Sequence, residues 1–319
     1  MLKSINTALR KLRKYDQLVE ERDSYRAQLD QLVVERDEYR AQLEQLYVPL
    51  GHFTSPFPCL EEIRRDEARI FGELPTDIPA VNLRATEQLE LLNAFLPYYR
   101  ALPFTPTRTD GLRYYYENPS FSYCDAIILH CIIRNVKPRK IIEAGSGFSS
   151  CVTLDTNALF FASKIDITFI EPYTNLLLSL ITEEDKRSVR IIPSRLQDVA
   201  LSEFEALQAN DILFIDSTHV SKIDSDVNYI FFEILPRLAR GVLVHFHDIP
   251  YPFEYRKAWV YEGRAWNEAY LLRAFLQYNH AYRIVFMNSY MTRFHTQFFK
   301  ENMPLCLKKR GASIWLKKE

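Results

Sequence analysis

The stretch from Arg139 to Ser150, RKIIEAGSGFSS, constrains the fold more than any other part of this chain. Ile141 and Ile142 suit a buried parallel strand, and Glu143 stands where that strand ends. Gly145 and Gly147 then let the backbone approach a ligand with no side chain between. Ser149 to Leu154 open a helix whose free N–H groups face the same point. A strand, a glycine turn and a helix in this order predict a ligand loop at the carboxyl edge of an open sheet. E-x-G-x-G alone is weak evidence, because a glycine turn between strand and helix often has no ligand.

The pattern beyond Asp125 supports the sheet. Apolar periodicity predicts helix 125–135, strand 140–143, helix 149–158, strands 166–170, 189–193 and 211–215, and helix 225–238. It continues with strand 242–246, helix 265–278, strand 282–287 and a last strand 312–317. Strands alternating with helices mean an open α/β fold with a mostly parallel sheet. Upstream, residues 60–71 and 86–97 have helical spacing, and Pro75, Pro79, Pro103 and Pro106 keep the connections irregular.

A different architecture precedes this body. LVEERDSYRAQLDQ, from Leu18, recurs nearly unchanged as LVVERDEYRAQLEQ, from Leu32, a period of two heptads with no proline or glycine. Leu18, Tyr25, Leu32, Tyr39 and Leu46 fall seven apart. Tyr15, Leu29 and Leu43 take the second seam position, which Arg22 and Arg36 interrupt. A long exposed heptad helix is expected over residues 1–48, pairing with another copy, with a partner helix or with the body of the protein. Pro49 and Gly51 end it, residues 49–112 form a connector and helical cap, and residues 113–319 form the α/β domain.

Composition bounds the partners. The 319 residues are 47% hydrophobic and 25% charged with a formal net charge of −1, which gives no electrostatic reason to expect nucleic acid or an anionic membrane. No apolar run approaches the roughly 18 residues of a membrane span, and the basic N-terminus lacks the apolar core of a secretory signal. A cytoplasmic protein is expected. Cys59, Cys124, Cys131, Cys151 and Cys306 are widely spaced with no C-x-x-C pair, so buried free thiols are expected.

Ligands of an open sheet sit at the carboxyl ends of its strands. The second strand ends at Glu171, about 26 residues past the glycine loop, where a carboxylate can accept both hydroxyls of a ribose. Gln197 and Asp198 follow the third strand, in place for an adenine edge or as plain surface polarity. The fourth strand delivers Asp216, then Ser217, Thr218 and His219. The fifth delivers His247 and Asp248, while His245 alternates away from them as a packed histidine.

These segments together resemble the class I S-adenosylmethionine-dependent methyltransferases, within a bacterial methyltransferase-like branch related to small-molecule and sugar O-methyltransferases. The resemblance covers about residues 50–319 and rests on YYYENPSFSYCDA, IIEAGSGFSS, FIEPY, DILFIDSTHVSKIDSDVNYIFFEILPRL, GVLVHFHDIPYPFEY and GRAWNEAYLLRAFLQYN. It implies a Rossmann-like seven-stranded sheet with helices on both faces and one antiparallel strand. It implies S-adenosylmethionine as cofactor, with Gly145, Ser146, Gly147 and Ser149 beneath the methionine moiety and Glu143 on its ammonium. Glu171 would hold the ribose and Gln197 and Asp198 the adenine, with Asp216 also among the cofactor-binding residues.

Related catechol-type and sugar enzymes hold a divalent metal at corresponding strand ends, so Asp216, His247 and Asp248 are expected either to bind one or to form a metal-free cluster. Mg²⁺ prefers oxygen, whereas the imidazole suits Mn²⁺, Fe²⁺ or Zn²⁺. Without a metal, His219 or His247 is the expected general base, positioned by Asp216 or Asp248. O-methylation of a small-molecule hydroxyl, on a sugar by the resemblance, is the expected activity, because an alcohol needs such a base. Tyr114, Tyr115, Tyr116, Phe121, Tyr251, Phe253, Tyr255 and Trp266 are candidates for an acceptor wall, with Arg264, Asn267 and Glu268 lending polarity. Three alternatives remain: a nicotinamide dehydrogenase, against which Ser150 replaces the third glycine; a non-haem iron oxygenase; and a non-catalytic scaffold recruited through the heptad helix.

Overall fold

The computed structural model describes residues 2–319, with only the backbone course given at residues 2–4 and 7–12. It divides into two compact units, the first ending at Glu67 and the second running from Ala68 to Glu319. In the first, Leu2–Glu44 is one helix of 43 residues. Its repeat is visible in its contacts. Gln17 donates to Glu21 and Gln31 to Glu35, both at 3.1 Å, and Arg22–Asp23 and Arg36–Asp37 both close at 2.7 Å. Exposed ion pairs of this kind contribute at most about 1 kcal/mol each. Tyr15, Leu18, Tyr25, Leu29, Leu32, Tyr39 and Leu43 are all more than half exposed, and Leu46 falls beyond the helix end. No helix among the described residues is long and apolar enough to cross a membrane.

The second unit is built on seven strands: β1 Lys140–Ala144, β2 Asp166–Ile170, β3 Arg190–Ile192, β4 Ile212–Ile215, β5 Leu243–Phe246, β6 Tyr282–Met287 and β7 Ile314–Lys318. Their order is β3-β2-β1-β4-β5-β7-β6. All pairings are parallel except those of β7, which runs antiparallel to both β5 and β6. β4 and β5 are buried at every position, the pattern of strands covered on both faces. The strand order reverses between β1 and β4, and the carboxyl ends there open a crevice.

Helices Ala85–Arg100, Cys124–Val136 and Phe148–Phe161 pack in succession. The first continues past Pro97, where sequence spacing alone would stop it. Tyr98 lies under the Arg134 guanidinium at 5.0 Å, and the Tyr99 hydroxyl accepts from Leu305 N at 3.0 Å, so tertiary contacts hold the last turn. The expected helix 225–238 is composite, with α-turns at Asp226–Tyr229 and Leu235–Arg237 on either side of a π-turn at Ile230–Ile234. Pro236 supplies no N–H, and a widened turn accommodates the loss.

Candidate functional site

Gly145 follows β1 with φ +82°, a conformation open to glycine at little cost. Its N–H donates to Ile170 O at 3.0 Å. A Cβ built on Gly145 would lie 1.7 Å from the Asp216 carbonyl oxygen. The missing side chain therefore admits the end of β4, which brings Asp216 against the glycine loop. Gly147 is extended at φ −174°, and a Cβ there would meet only the Leu176 side chain at 3.4 Å.

Glu143 is fully buried. Its Oε1 accepts from Ser149 Oγ at 2.6 Å and from Ser150 Oγ at 2.8 Å, whereas Oε2 is buried with no partner. Burial pushes its carboxyl up to about 8, against the two serine hydroxyls and with help from Asp216 and Glu171. A cation beside Oε2 would restore the charge and satisfy the atom. Glu171 ends β2 as an organiser of the loop, accepting from Ser146 N at 3.1 Å and from Tyr173 N at 2.7 Å. Each carboxylate oxygen has a further acceptor site.

Gly145, Glu171, Gln197, Asp216 and Ser217 line a cleft of about 540 Å³, within the size of ordinary cofactor sites. Gln197 donates to Asp224 O at 2.7 Å at its rim. Asp198 is not among the lining residues. It takes two 2.8 Å hydrogen bonds on the exposed surface from Arg195, which does line the cleft.

A second group gathers where β4 and β5 end. His219 Nδ1 lies 2.9 Å from Glu268 Oε2, and its Nε2 lies 3.4 Å from Asp216 Oδ1 and 4.0 Å from Asp248 Oδ2. His247 Nε2 is 3.6 Å from Asp248 Oδ1, and its Nδ1 is buried without a partner. Sequence reasoning placed Glu268 only as general polarity; the structure makes it the orienting partner of His219. Burial alone would lower the His219 pKa, but Asp216 and Glu268 outweigh it and raise the value well above the ordinary imidazole range. At Asp216 burial alone would raise the pKa, but the His247 and His219 imidazoles outweigh it and hold the carboxyl below the usual carboxylate range. His247 is raised despite burial because Asp216, Asp248 and Asp125 surround it. Burial dominates at Asp248 and raises it.

His245 lies on the same face as His247, with the two ring centres 5.6 Å apart, as residues two apart on a strand do. Its ring stacks on Phe214 at 3.9 Å and meets Trp315 edge-on at 4.6 Å. It is packed as expected, but on the same side as His247 rather than away from it, and neither ring nitrogen has a partner. Burial and the nearby His247 keep its pKa well below the ordinary value.

A cleft of about 460 Å³ adjoins this group, and Asp216, His247, Asp248, Arg256, Arg264 and Arg310 are in its wall. The expected aromatic wall is different. Tyr114, Tyr116, Phe121, Tyr251, Phe253 and Tyr255 are buried in the core, and Trp259 is the aromatic that lines the cleft. Asn267 is occupied by Ser221 N at 2.6 Å.

The metal expected on Asp216, His247 and Asp248 is not carried by the donor arrangement. Among the described residues no group of three or more histidine, cysteine, aspartate or glutamate side chains is placed to hold an ion. The cleft beside the glycine loop has a different lining. Ser217 Oγ in its wall is buried and unpartnered, as are Glu143 Oε2 at the end of β1 and Ser146 Oγ in the glycine loop, neither of which lines it, and buried polar atoms left in that state call for a ligand or water.

Comparison with known proteins agrees with this geometry. The sequence profile of a family described as a methyltransferase domain matches residues 142–249, which span β1 to the strand end carrying Asp248. An uncharacterised protein of Archaeoglobus fulgidus is 36% identical over 169 residues, 51% of this chain and 75% of the relative. Similar solved structures include a candidate caffeoyl-CoA O-methyltransferase from Staphylococcus aureus, 18% identical over 63% of this chain and 86% of that one, with a TM-score of 0.42. Another is the O-methyltransferase TomG from Streptomyces achromogenes, 14% identical over 72% and 89%, with a TM-score of 0.41. With β7 set antiparallel between β5 and β6, and the profile match running along the ligand edge, the chain belongs to the class I S-adenosylmethionine-dependent methyltransferases.

Proposed function

We propose that this methyltransferase methylates a hydroxyl oxygen of a small molecule, with a sugar as the preferred acceptor class. The observation that carries the reading is Asp216, the residue common to the walls of both clefts. A donor in the first and an acceptor in the second would meet there, and transfer depends on such alignment.

When bound, S-adenosylmethionine supplies a methyl group already activated on a sulfonium. In this reading Glu143 Oε2 receives the cofactor's ammonium, Glu171 its ribose hydroxyls and Gln197 its adenine edge. Asp216 sets a negative charge at the junction. His219 takes the acceptor's hydroxyl proton at Nε2 while Glu268 holds Nδ1–H and fixes the tautomer. Since Asp216 and Glu268 favour the imidazolium, His219 must first lose its proton to solvent, which gives activity an alkaline rise. Asp248 and His247 complete the acceptor side. No metal step enters. Residues 1–48 serve as an association segment, residues 49–112 as connector and cap, and residues 113–319 as the catalytic domain.

The test is calorimetric titration of the full chain with S-adenosylhomocysteine, followed by screening metabolite extracts for transfer of labelled methyl. Binding weakened about ten-fold or more by Glu171→Ala is expected, a loss of about 1.4 kcal/mol. A folded protein that binds no S-adenosylhomocysteine would sink the proposal, and binding with no turnover on any acceptor would favour a scaffold role.

A further inference from the structure

The cleft beside His247 and Asp248 has a basic rim that methyl transfer to a neutral alcohol does not require. Arg256, Arg264, Lys309 and Arg310 all line it. Arg264 is answered by Glu262 at 2.8 Å. Arg256 is held in place, donating from Nη2 to Gly311 O at 2.6 Å with its guanidinium 4.8 Å from the Trp259 ring centre. The Lys309 and Arg310 side chains make no hydrogen bond or ion pair among the described residues.

The acids in the same wall do not answer these cations. Asp125 is taken by Asn288 Nδ2 at 2.8 Å and Ser313 Oγ at 2.7 Å, while Asp216 and Asp248 lie against imidazoles.

The basic turn is also built into the site. Lys309 O accepts from Cys124 N at 3.1 Å, and Ala312 O accepts from Ile249 N at 2.5 Å, one residue past Asp248. Between them Gly311 has φ +72°, and a Cβ there would lie 2.4 Å from the Asp125 carboxylate. The turn therefore packs on Asp125 and is tied to the strand end that carries Asp248. Arg256 and Arg310 also line an adjoining cleft of about 550 Å³, whose wall adds Arg293. Convergent cations in a concavity repel one another and focus a positive field until an anion neutralises them.

We infer that the acceptor is itself an anion: a hydroxylated small molecule bearing a phosphate or carboxylate group, docked on Arg256, Lys309 and Arg310. The inference rests on the methyltransferase reading above and names the chemistry of its acceptor. The anionic group sits at the wall that Arg256 and Arg310 share between these two clefts, which leaves a hydroxyl of the same molecule to face Asp216, with His219 Nε2 3.4 Å from its carboxylate.

Calorimetric titration of the full chain saturated with S-adenosylhomocysteine tests it, with glucose 1-phosphate and glucuronate as anionic probes and glucose as the neutral control. At least one anion is expected to bind about ten-fold tighter than glucose, equivalent to about 1.4 kcal/mol, and to weaken with added salt. Preference for the phosphate or for the uronate identifies the group. The double variant Lys309→Gln with Arg310→Gln, at two exposed positions, should erase the preference and leave S-adenosylhomocysteine affinity unchanged. Equal or absent binding of all three probes overturns the inference, as does a preference that survives the double variant. Loss of the methyltransferase reading is told apart by the first step, since wild-type protein that binds no S-adenosylhomocysteine removes both.

Discussion

Replacing Glu268 by glutamine isolates the electrostatic hold on His219. Glu268 is fully buried, and its Oε2 lies 2.9 Å from His219 Nδ1. Burial pushes the Glu268 carboxyl up as well, yet the imidazole supplies its counter-charge, and the ionised pair is the form this contact favours. A hydrogen bond to a charged group contributes about 1.5–3 kcal/mol and a neutral one about 0.5–1.5 kcal/mol. Glutamine keeps an acceptor oxygen and loses the charge, so the imidazolium should lose about 1–1.5 kcal/mol. At about 1.36 kcal/mol per pH unit this lowers the His219 pKa by close to one unit. Imidazole resonances followed by NMR across pH read it without any acceptor. In the wild type His219 should titrate above the ordinary value of about 6.5, and in Glu268→Gln about one unit lower. Because the folded pKa is raised, His219 contributes stability that is present below the unfolded pKa and is lost as pH rises through the folded one. The alkaline fall in melting temperature should therefore shrink in the variant. A wild-type His219 that titrates at or below the ordinary value, or one that Glu268→Gln does not move, would refute the reasoning.

Two further outcomes are expected. Arg113 bridges Asp155 at 2.8 Å and Asp185 at 2.6 Å, and the Asp155 side chain is fully buried; Arg113→Ala leaves that charge unpaired and should cost about 3 kcal/mol in chemical denaturation, with a loss of a few tenths counting against a buried-pair role. Deleting residues 1–48 removes the exposed seam of Tyr25, Leu29, Leu32, Tyr39 and Leu43 and should lower the oligomer mass in light scattering while S-adenosylhomocysteine affinity holds; an unchanged mass would remove the association role.

The sheet was legible because parallel strands buried on both faces read as short apolar runs, and all seven strands fall within a residue or two of their expected limits. Short helices were less so. Asn175–Leu180 and Glu183–Ser188 are too brief for a periodic signal, although Thr182 and Asp185, which cap the second at both ends of a capping box, carry a local signature. Strand ends pointed to Asp216, His247 and Asp248, since one edge of a parallel sheet must release them together. Nothing local points to Glu268. It lies 49 residues from His219, and their contact exists only once the helix Glu268–Leu276 has docked. Gly145 was readable as obligatory but not for its main reason, because the Asp216 carbonyl that excludes a side chain there arrives from another strand.

Asp248 shows what the site costs the fold. It holds φ +52°, a left-handed conformation that an aspartate tolerates at some expense. Its carboxylate is 20% exposed and its nearest cationic groups lie at 3.6 and 4.0 Å, beyond hydrogen-bond range. Burial raises its pKa above the ordinary carboxylate value, more than His247 offsets. An acid whose folded pKa is raised weakens the fold once ionised, and the penalty disappears as pH falls through the folded value towards the unfolded one. Asp248→Asn preserves shape and tolerates the same backbone, so it should stabilise the protein by about 1 kcal/mol at neutral pH, with the gain vanishing in acid. If Asp248 serves the acceptor, the same variant loses methyl transfer while S-adenosylhomocysteine affinity stays, since the residue is not in the wall of the cofactor cleft. Melting curves at pH 7 and pH 4 decide the first half. A variant less stable than wild type at neutral pH would mean that the carboxylate holds the structure together, and the functional reading of its unfavourable placement would fall.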